Sequence, residues 1–147
     1  MFAVGVDVSN GRSTVAVLQS KSTVTLKPFE VSHTPEGLGK LVEKLNRLGG
    51  ETKVIMEHTG RYYEPIAMFL DSSGFFVSAL NPILLNRYQE NPSLHNVKTD
   101  KADAVKIAKF GLDNWEQLRQ YEPMDTIRYN LKTMHRQFQL ASESGSA

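Results

Sequence analysis

Four carboxylates lie where an α/β protein could bring them to one place. Asp7 is part of an apolar N-terminal segment, Glu57 ends a second apolar segment, and Asp100 and Asp103 open a third. An acid inside an apolar strand is costly unless it is paired or metal-bound. Residues three apart on a helix face the same side, so Asp100 and Asp103 can point at one spot. The pattern predicts one acidic site assembled from distant parts of the chain.

Crowded carboxylates need a compensating positive charge, because like charges otherwise force some of them to stay protonated. The chain has no cysteine, and its four histidines lack the spacing of a zinc site. Ligand sets made of oxygen alone suit Mg²⁺ or Mn²⁺. Two such ions about 3.5–4 Å apart serve in-line displacement at a phosphodiester. The acids therefore predict a two-ion phosphoryl-transfer site.

Each acid also has a purely structural explanation. Asp100 and Asp103 match the first turn of a helix, where the helix dipole favours negative charge. Glu57 could be a surface acid at a strand end, whereas Asp7 is harder to explain in this way. Four basic residues could contact nucleic-acid phosphates or could be ordinary solvated charges: Arg12, Arg61, Lys98 and Lys101.

The first third of the chain predicts three strands in a meander. "FAVGVDVS" alternates, so Asp7 shares a strand face with the small residues Ala3 and Gly5, which leaves room beside the carboxylate. "NGRS" is typical of a hairpin turn, and "TVAVLQ" and "TVTLKPFEV" follow as strands two and three. Pro28 restricts the third strand to a sheet edge or a bulge.

Helices and short apolar strands then alternate. A helix begins after the N-cap Thr34 and stops by Gly49, and "KVIMEHTG" is typical of a strand covered on both faces. "RYYEPIAMFLDSSG" predicts a helix, "FFVSALNP" the fifth strand, and Asn81 caps a short helix. "TDKADAVKIAKFGL" is the next helix, which Gly111 is expected to end. The order predicts an α/β fold: a mixed five-stranded sheet with helices on both faces.

The C-terminal part differs in its pattern. A heptad seam with spacings of three and four predicts a helix that pairs with a partner, formed by Met124, Ile127, Leu131, Met134, Phe138 and Ala141. We therefore expect a catalytic domain over residues 1–115 and a helical, coiled-coil-like connector over 116–147, with homo-oligomers forming through this helix.

The bulk composition fits one domain and excludes few functions. The chain has 147 residues, 40% hydrophobic content and a net charge of +1, which neither indicates nor excludes nucleic-acid binding. No apolar run approaches the ~20 residues that cross a membrane, and no basic segment precedes the apolar N-terminus. We expect a cytoplasmic protein with no membrane partner.

Three segments resemble a known family: "GVDVSNGRSTVAVL", "VIMEHTGRYYEP" and "NVKTDKADAVKIAKFG". They are similar to the DEDD-type insertion-sequence transposases, relatives of the Piv and MooV DNA recombinases, over about residues 3–112. The resemblance implies a ribonuclease-H-like fold of the RuvC kind. It also implies that the four catalytic and metal-binding acids are Asp7, Glu57, Asp100 and Asp103.

The resemblance implies a magnesium-dependent enzyme that cuts and transfers DNA strands for insertion-sequence mobility with a guide RNA, in a prokaryotic cytoplasm and at the nucleoid when acting. It also implies a C-terminal domain with a serine nucleophile, which we expect to lie outside these 147 residues. The chain would then be the catalytic domain alone, whose isolated activity is in doubt.

Three other functions compete with this one. A RuvC-like Holliday-junction endonuclease would use the same acids. A non-catalytic nucleic-acid-binding or dimerisation module would keep the acids for structure, and the heptad seam favours it. "DVSNGRS" after a strand also resembles the phosphate loop of actin-like ATPases and sugar kinases, but that fold needs two such halves.

Overall fold

The computed structural model describes residues 1–20, 22–58, 60–87 and 99–122. Its five strands are β1 (Phe2–Ser9), β2 (Arg12–Ser20), β3 (Thr23–Ser32), β4 (Thr52–Glu57) and β5 (Phe76–Leu80). Its helices are α1 (Pro35–Asn46), α2 (Tyr63–Ser72), α3 (Pro82–Asn86) and α4 (Asp100–Asp113), followed by a 3₁₀ turn at Trp115–Gln117. Over the described residues, the predicted elements are thus present in the predicted order.

The strands form one mixed sheet with the order β3-β2-β1-β4-β5. β1, β2 and β3 pair antiparallel, whereas β4 lies parallel to both β1 and β5. The predicted meander with a parallel extension is therefore confirmed. β1 is the central strand and carries Asp7 near its carboxyl end, and the carboxyl ends of the three parallel strands lie at the same end of the sheet.

The third strand shows both features that its proline predicts. β3 is an edge strand, and its pairing slips where Val15 faces Phe29 but Val17 faces Leu26. Two steps along β2 thus match three along β3, which is a bulge beside Pro28. Because proline cannot donate to a ladder, this irregular edge is where the sheet tolerates it.

Helices cover both faces of the sheet, as predicted. α1 and α2 pack on one face, where Leu38, Leu41 and Leu45 of α1 and Ile66 and Leu70 of α2 are buried. α3 and α4 pack on the other face, over a second apolar cluster whose buried members are Ala3, Ala16, Leu18, Ile55, Leu80, Leu85, Ala104, Ile107, Ala108 and Trp115. Two buried apolar layers therefore hold the central strands from both sides.

The expectation that Gly111 ends the last helix is wrong. α4 continues through Gly111 to Asp113. A Cβ atom at position 111 would lie 2.4 Å from Cδ1 of Ile55, so the glycine lets α4 approach the sheet closely. This glycine therefore serves the packing of α4 on the sheet. In the sequence alone, a glycine needed for packing looks the same as one that ends a helix.

A strap, defined here as residues 114–122, runs from one face of the sheet to the other. Trp115 is buried in the cluster beneath α4, and its carbonyl accepts a 2.9 Å hydrogen bond from Lys53 Nζ. That ammonium group also lies 4.6 Å from the Trp115 ring centroid and 4.7 Å from the Phe76 ring centroid. Tyr121 is buried in the other cluster, and its N–H donates to the carbonyl of Val77 on the edge strand β5.

The predicted C-terminal helix and its heptad seam fall on residues 123–147, outside the described residues, so the predicted division at residue 115 stays a prediction. Among the helices that the structure describes, none combines the length and the apolar composition needed to cross a bilayer.

Candidate metal centre

Asp7 and Glu57 come from neighbouring parallel strands. The register pairs Val6 with Met56, so Asp7 and Glu57 occupy the next position on β1 and β4. Residues two apart on a strand share a face. Both acids therefore lie on the α4 side of the sheet, Asp7 with Gly5 and Glu57 with Ile55, at the carboxyl ends of their strands.

The small residues beside Asp7 let α4 lie almost directly on β1. A Cβ atom added to Gly5 would fall 2.1 Å from the carbonyl oxygen of Ala104 and 2.6 Å from the backbone nitrogen of Ala108. Helix backbone thus fills the room that the sequence left beside Asp7. This close approach carries the first turn of α4, with Asp100 and Asp103, to the Asp7 carboxylate.

Three carboxylates converge at this point. One oxygen from each of Asp7, Asp100 and Asp103 lies within 4.8 Å of the other two. Asp7 and Asp103 are half-buried, and Asp100 is exposed. The same two α4 acids occupy the first helical turn, where Thr99 Oγ1 accepts a 3.0 Å hydrogen bond from the Ala102 N–H. The geometry of "TDKAD" is therefore compatible with a helix start and with an acidic site at once.

The cluster strongly disfavours ionisation of its central acid. The pKa of Asp7 rises from 3.8 to about 7, chiefly because burial penalises the charged form. The negative charges of Asp103 and Asp100 raise this pKa further, as does a hydrogen bond that protonated Asp7 donates to Asp100. The charge of Glu57 is the smallest contribution. A divalent cation would relieve this repulsion, and an all-oxygen ligand set suits Mg²⁺ or Mn²⁺.

Glu57 lies next to the compact group of Asp7, Asp100 and Asp103 but is not part of it. The three aspartates meet within one small sphere, whereas Glu57 is near enough for its charge to act on Asp7. The structure therefore assembles three of the four predicted acids directly and places the fourth at the adjoining strand end.

The described basic candidates lie at the same end of the sheet as the acids. Arg12 begins β2, opposite Ser9 at the end of β1, and pairs with Glu30 across 3.9 Å. Arg61 lies in the turn before α2, and Lys101 is in the first turn of α4; all three cations are exposed. The predicted Lys98 lies outside the described residues.

Sequence reasoning did not single out Thr14. It pairs directly with Asp7 across β1 and β2, and its side chain is buried on the same face. The two-residue turn at Asn10 and Gly11 sets this register, and Gly11 adopts the positive φ that such turns require. The turn could have identified Thr14 from the sequence, because pairing residues outward from Asn10 and Gly11 places Thr14 opposite Asp7.

The fold is shared with solved structures of RuvC. Thermus thermophilus RuvC in complex with a Holliday junction substrate has a TM-score of 0.59 and 16% sequence identity, covering 80% of this chain and 96% of that one. A second Thermus thermophilus RuvC structure gives 0.55 and 17%, with the same coverage. The expected RuvC-like, ribonuclease-H type of fold is therefore confirmed.

The sequence comparison specifies the family within that fold. The family model of IS110-type DEDD transposases, described as "Transposase", matches residues 4–144, and the chain belongs to this family. The resemblance inferred from the three sequence segments is thus confirmed.

Curated relatives carry related names. The pilin gene-inverting protein of Moraxella lacunata is 36% identical over 58 residues, which are 40% of this chain and 18% of that protein. The transposase for insertion sequence element IS1533 of Leptospira borgpetersenii is 28% identical over 141 residues, covering 87% of this chain and 39% of that protein. The chain thus spans well under half the length of either relative.

The raised Asp7 pKa predicts a pH-dependent stability. The folded state binds this proton more tightly than the unfolded state, whose pKa is near 3.8. The stabilisation is full below pH 3.8 and is lost as the pH rises towards about 7. If the whole rise in the Asp7 pKa contributed to the free energy of unfolding, at about 1.4 kcal/mol for each tenfold change in proton affinity, the loss would be about 4 kcal/mol. Solvent screening reduces the loss that we expect to about 2 kcal/mol.

Urea unfolding of the metal-free protein between pH 4 and pH 8 measures this loss. The Asp7→Asn variant is the control, because its side chain cannot titrate, and the difference between the two pH profiles isolates Asp7. Parallel profiles would show that Asp7 ionises normally in the folded protein.

Removing the cap of α4 should weaken the site as well as the helix. Thr99→Ala deletes the acceptor for the Ala102 N–H, which costs about 1 kcal/mol and loosens the turn that carries Asp100. We expect Mn²⁺ affinity to fall about two- to fivefold, less than the loss of a ligand would cause.

Thr34→Ala is the matched control, because Thr34 caps α1 with the same 3.0 Å bond from the Gly37 N–H, and α1 packs on the face of the sheet opposite to the acids. It should cost similar stability and leave Mn²⁺ affinity unchanged, as measured by calorimetry. Equal effects of both variants on affinity would refute a specific role of the α4 cap.

Proposed function

We propose that this chain is the catalytic domain of a DNA transposase that cuts and transfers DNA strands at a divalent-metal site. The convergence of the Asp7, Asp100 and Asp103 carboxylates at the carboxyl end of β1 is the observation that carries the proposal. These acids, which come from two separate elements, β1 and α4, raise the pKa of Asp7 by their proximity and burial, which is costly for a merely structural arrangement.

Family membership supports the reaction class. The family is one of transposases, and the names of the relatives describe gene inversion and transposition. RuvC, which shares the fold, has been solved on a Holliday junction substrate. Since the chain spans a minor share of its relatives, the activity of the whole protein is part of the proposal, including a serine nucleophile from another domain.

Each acid has a proposed role in holding Mg²⁺ or Mn²⁺. Asp7 would be the central ligand, because its carboxylate meets both α4 acids. Asp100 and Asp103 would complete one side from α4, and Glu57 would serve a second ion from β4. Paired divalent ions activate the attacking oxygen of a phosphodiester displacement and stabilise the leaving oxygen. At pH values below about 7, Asp7 must also release its proton before it can act as a ligand.

The exposed cations around the acids would hold the DNA backbone. Arg12, Arg61 and Lys101 are exposed at the acidic end of the sheet, where they would attract the phosphates of a DNA strand at the metal. Lys98 is proposed for the same role from its sequence position alone. Such contacts orient a strand without selecting its sequence.

Three further parts of the proposal rest on the sequence alone. The family resemblance supports a guide RNA that selects the DNA target and action at the nucleoid in the cytoplasm. The C-terminal heptad seam supports homo-oligomers formed through that segment.

A metal and DNA titration tests the proposal. Wild-type protein should bind Mn²⁺ saturably, and the double variant Asp100→Asn/Asp103→Asn should bind at least about 30-fold more weakly. Asp71→Asn is the control, because Asp71 lies in the last turn of α2, at the opposite end of the sheet. Binding to linear and four-way branched DNA is then measured with and without Mn²⁺.

Two outcomes would contradict the proposal. Absence of Mn²⁺ binding, or equal binding by the double variant, removes the metal site. DNA binding that is indifferent both to Mn²⁺ and to the loss of the acids would instead support a non-catalytic binding module.

A further inference from the structure

Glu57 and the next residue, His58, lie on opposite faces of the sheet at the end of β4. Successive strand residues point to opposite faces. Glu57 shares the α4 face with Ile55, so His58 projects towards α2. The His58 N–H donates a 2.8 Å hydrogen bond to the carbonyl of Leu80, the residue that pairs with Glu57. The backbone is thus tied to β5 directly after Glu57, and His58 is the residue next to Glu57 in the chain.

Three aromatic rings connect this point to the strap. The His58 and Tyr63 ring centroids lie 6.2 Å apart, with ring planes tilted by 50°. The Tyr63 and Tyr121 centroids are also 6.2 Å apart, with an edge-to-face angle of 84°. Edge-to-face ring pairs at such distances attract each other by about 0.5–1.5 kcal/mol beyond their burial. The series therefore links His58 to the strap without a gap.

Tyr121 is the firmly held end of the series. Its side chain is 9% exposed within the cluster beneath α1 and α2, whereas His58 is exposed. Its N–H donates to the Val77 carbonyl, so the backbone of the strap is fixed to β5 as well. Trp115 anchors the other end of the strap through Lys53. A ring held in this way can restrain a more exposed neighbour.

We infer that Tyr121 is a positioning residue for Glu57, acting through Tyr63 and His58. The three aspartates meet without help from this route, because the contact of α4 with Gly5 brings them together. Glu57 lies outside their compact group, so its distance from them depends on the turn that His58 begins. The inference rests on the proposed function in one respect, namely that Glu57 is a metal ligand.

Carbon-13 NMR of the glutamate carboxyl carbons tests this in the full chain without metal. The Glu57→Gln variant assigns the Glu57 signal. Tyr121→Leu keeps an apolar side chain but removes the ring, and it should shift or broaden the signals of Glu57 and of the His58 ring. Tyr121→Phe keeps the ring and should leave both signals in place. If Tyr121→Leu does not fold, Tyr63→Leu should give the same changes.

A second measurement relates the position of Glu57 to the site. Mn²⁺ affinity should fall about 3- to 10-fold in Tyr121→Leu and recover to within about twofold of wild type in Tyr121→Phe. If wild-type protein binds no Mn²⁺, the proposed function fails, while the metal-free NMR spectra still decide whether Tyr121 positions Glu57.

Leu118→Ala is the matched control, because Leu118 belongs to the same strap but packs in the cluster beneath α4. It should lower stability and leave the Glu57 signal unchanged. An unchanged Glu57 signal in Tyr121→Leu would overturn the inference. So would the same change in Leu118→Ala, because the effect would then follow from general loosening of the strap.

Discussion

Asp7→Asn should lower Mn²⁺ affinity more than 100-fold and abolish any metal-dependent DNA cleavage. Asp7 is the acid that meets both Asp100 and Asp103, so its loss leaves two carboxylates on one helix turn and no carboxylate from the sheet within the compact group. Removing one ligand directly should exceed the 10- to 100-fold cost typical of residues that only orient ligands. Calorimetry with Mn²⁺ and a cleavage assay on branched DNA measure the two effects.

The same substitution should stabilise the metal-free protein at pH 8, because it removes a carboxylate whose ionisation is opposed by burial and by its neighbours. Lost binding together with raised stability distinguishes a ligand from a residue that merely supports the fold. If Asp7→Asn loses stability and keeps its Mn²⁺ affinity, Asp7 is a structural acid and the site has been assigned wrongly.

Gly5→Ala should destabilise the protein by about 3 kcal/mol, at the upper end for overpacking, although it adds a single methyl group. The new Cβ would meet helix backbone, 2.1 Å from the Ala104 oxygen and 2.6 Å from the Ala108 nitrogen, which cannot rotate away. α4 must therefore move off β1 and take Asp100 and Asp103 with it. The melting temperature should fall by about 6–12 °C, and Mn²⁺ affinity should fall as well.

Gly39→Ala is the matched control. Position 39 lies within α1, and nothing lies within 4 Å of an added Cβ atom. Alanine has the higher helix propensity, so this variant should gain about 0.5–1 kcal/mol and bind Mn²⁺ normally. A Gly5→Ala protein as stable as wild type would mean that α4 does not lie as close to β1 as described.

Local patterns were sufficient for most of the elements. Alternation predicted β1, and the Asn10–Gly11 turn and Pro28 indicated the hairpin and the irregular edge strand. The cap at Thr34 marked the start of α1 within one residue. These signals are short-range, because a cap, a turn or a strand alternation acts between residues a few positions apart.

Gly111 shows where local patterns fail. A glycine near the end of a helical pattern predicts a stop, but here the missing side chain accommodates Ile55 from β4. The residue that decides its role lies 56 positions away in sequence, as the two residue numbers show. The aromatic series from His58 to Tyr121 was missed for the same reason, because nothing local relates these positions.

By itself, the sequence determined the element order, the mixed sheet and the candidate acids, because strand alternation, caps and acids within apolar segments are local properties. Tertiary structure alone decided that three aspartates meet while Glu57 stands beside them. That outcome depends on how closely α4 approaches β1. The absence of a side chain at Gly5 allows this close approach, but it matters only because α4 packs there. The raised pKa of Asp7 follows from the same packing, since burial and neighbouring charge exist only in the folded chain.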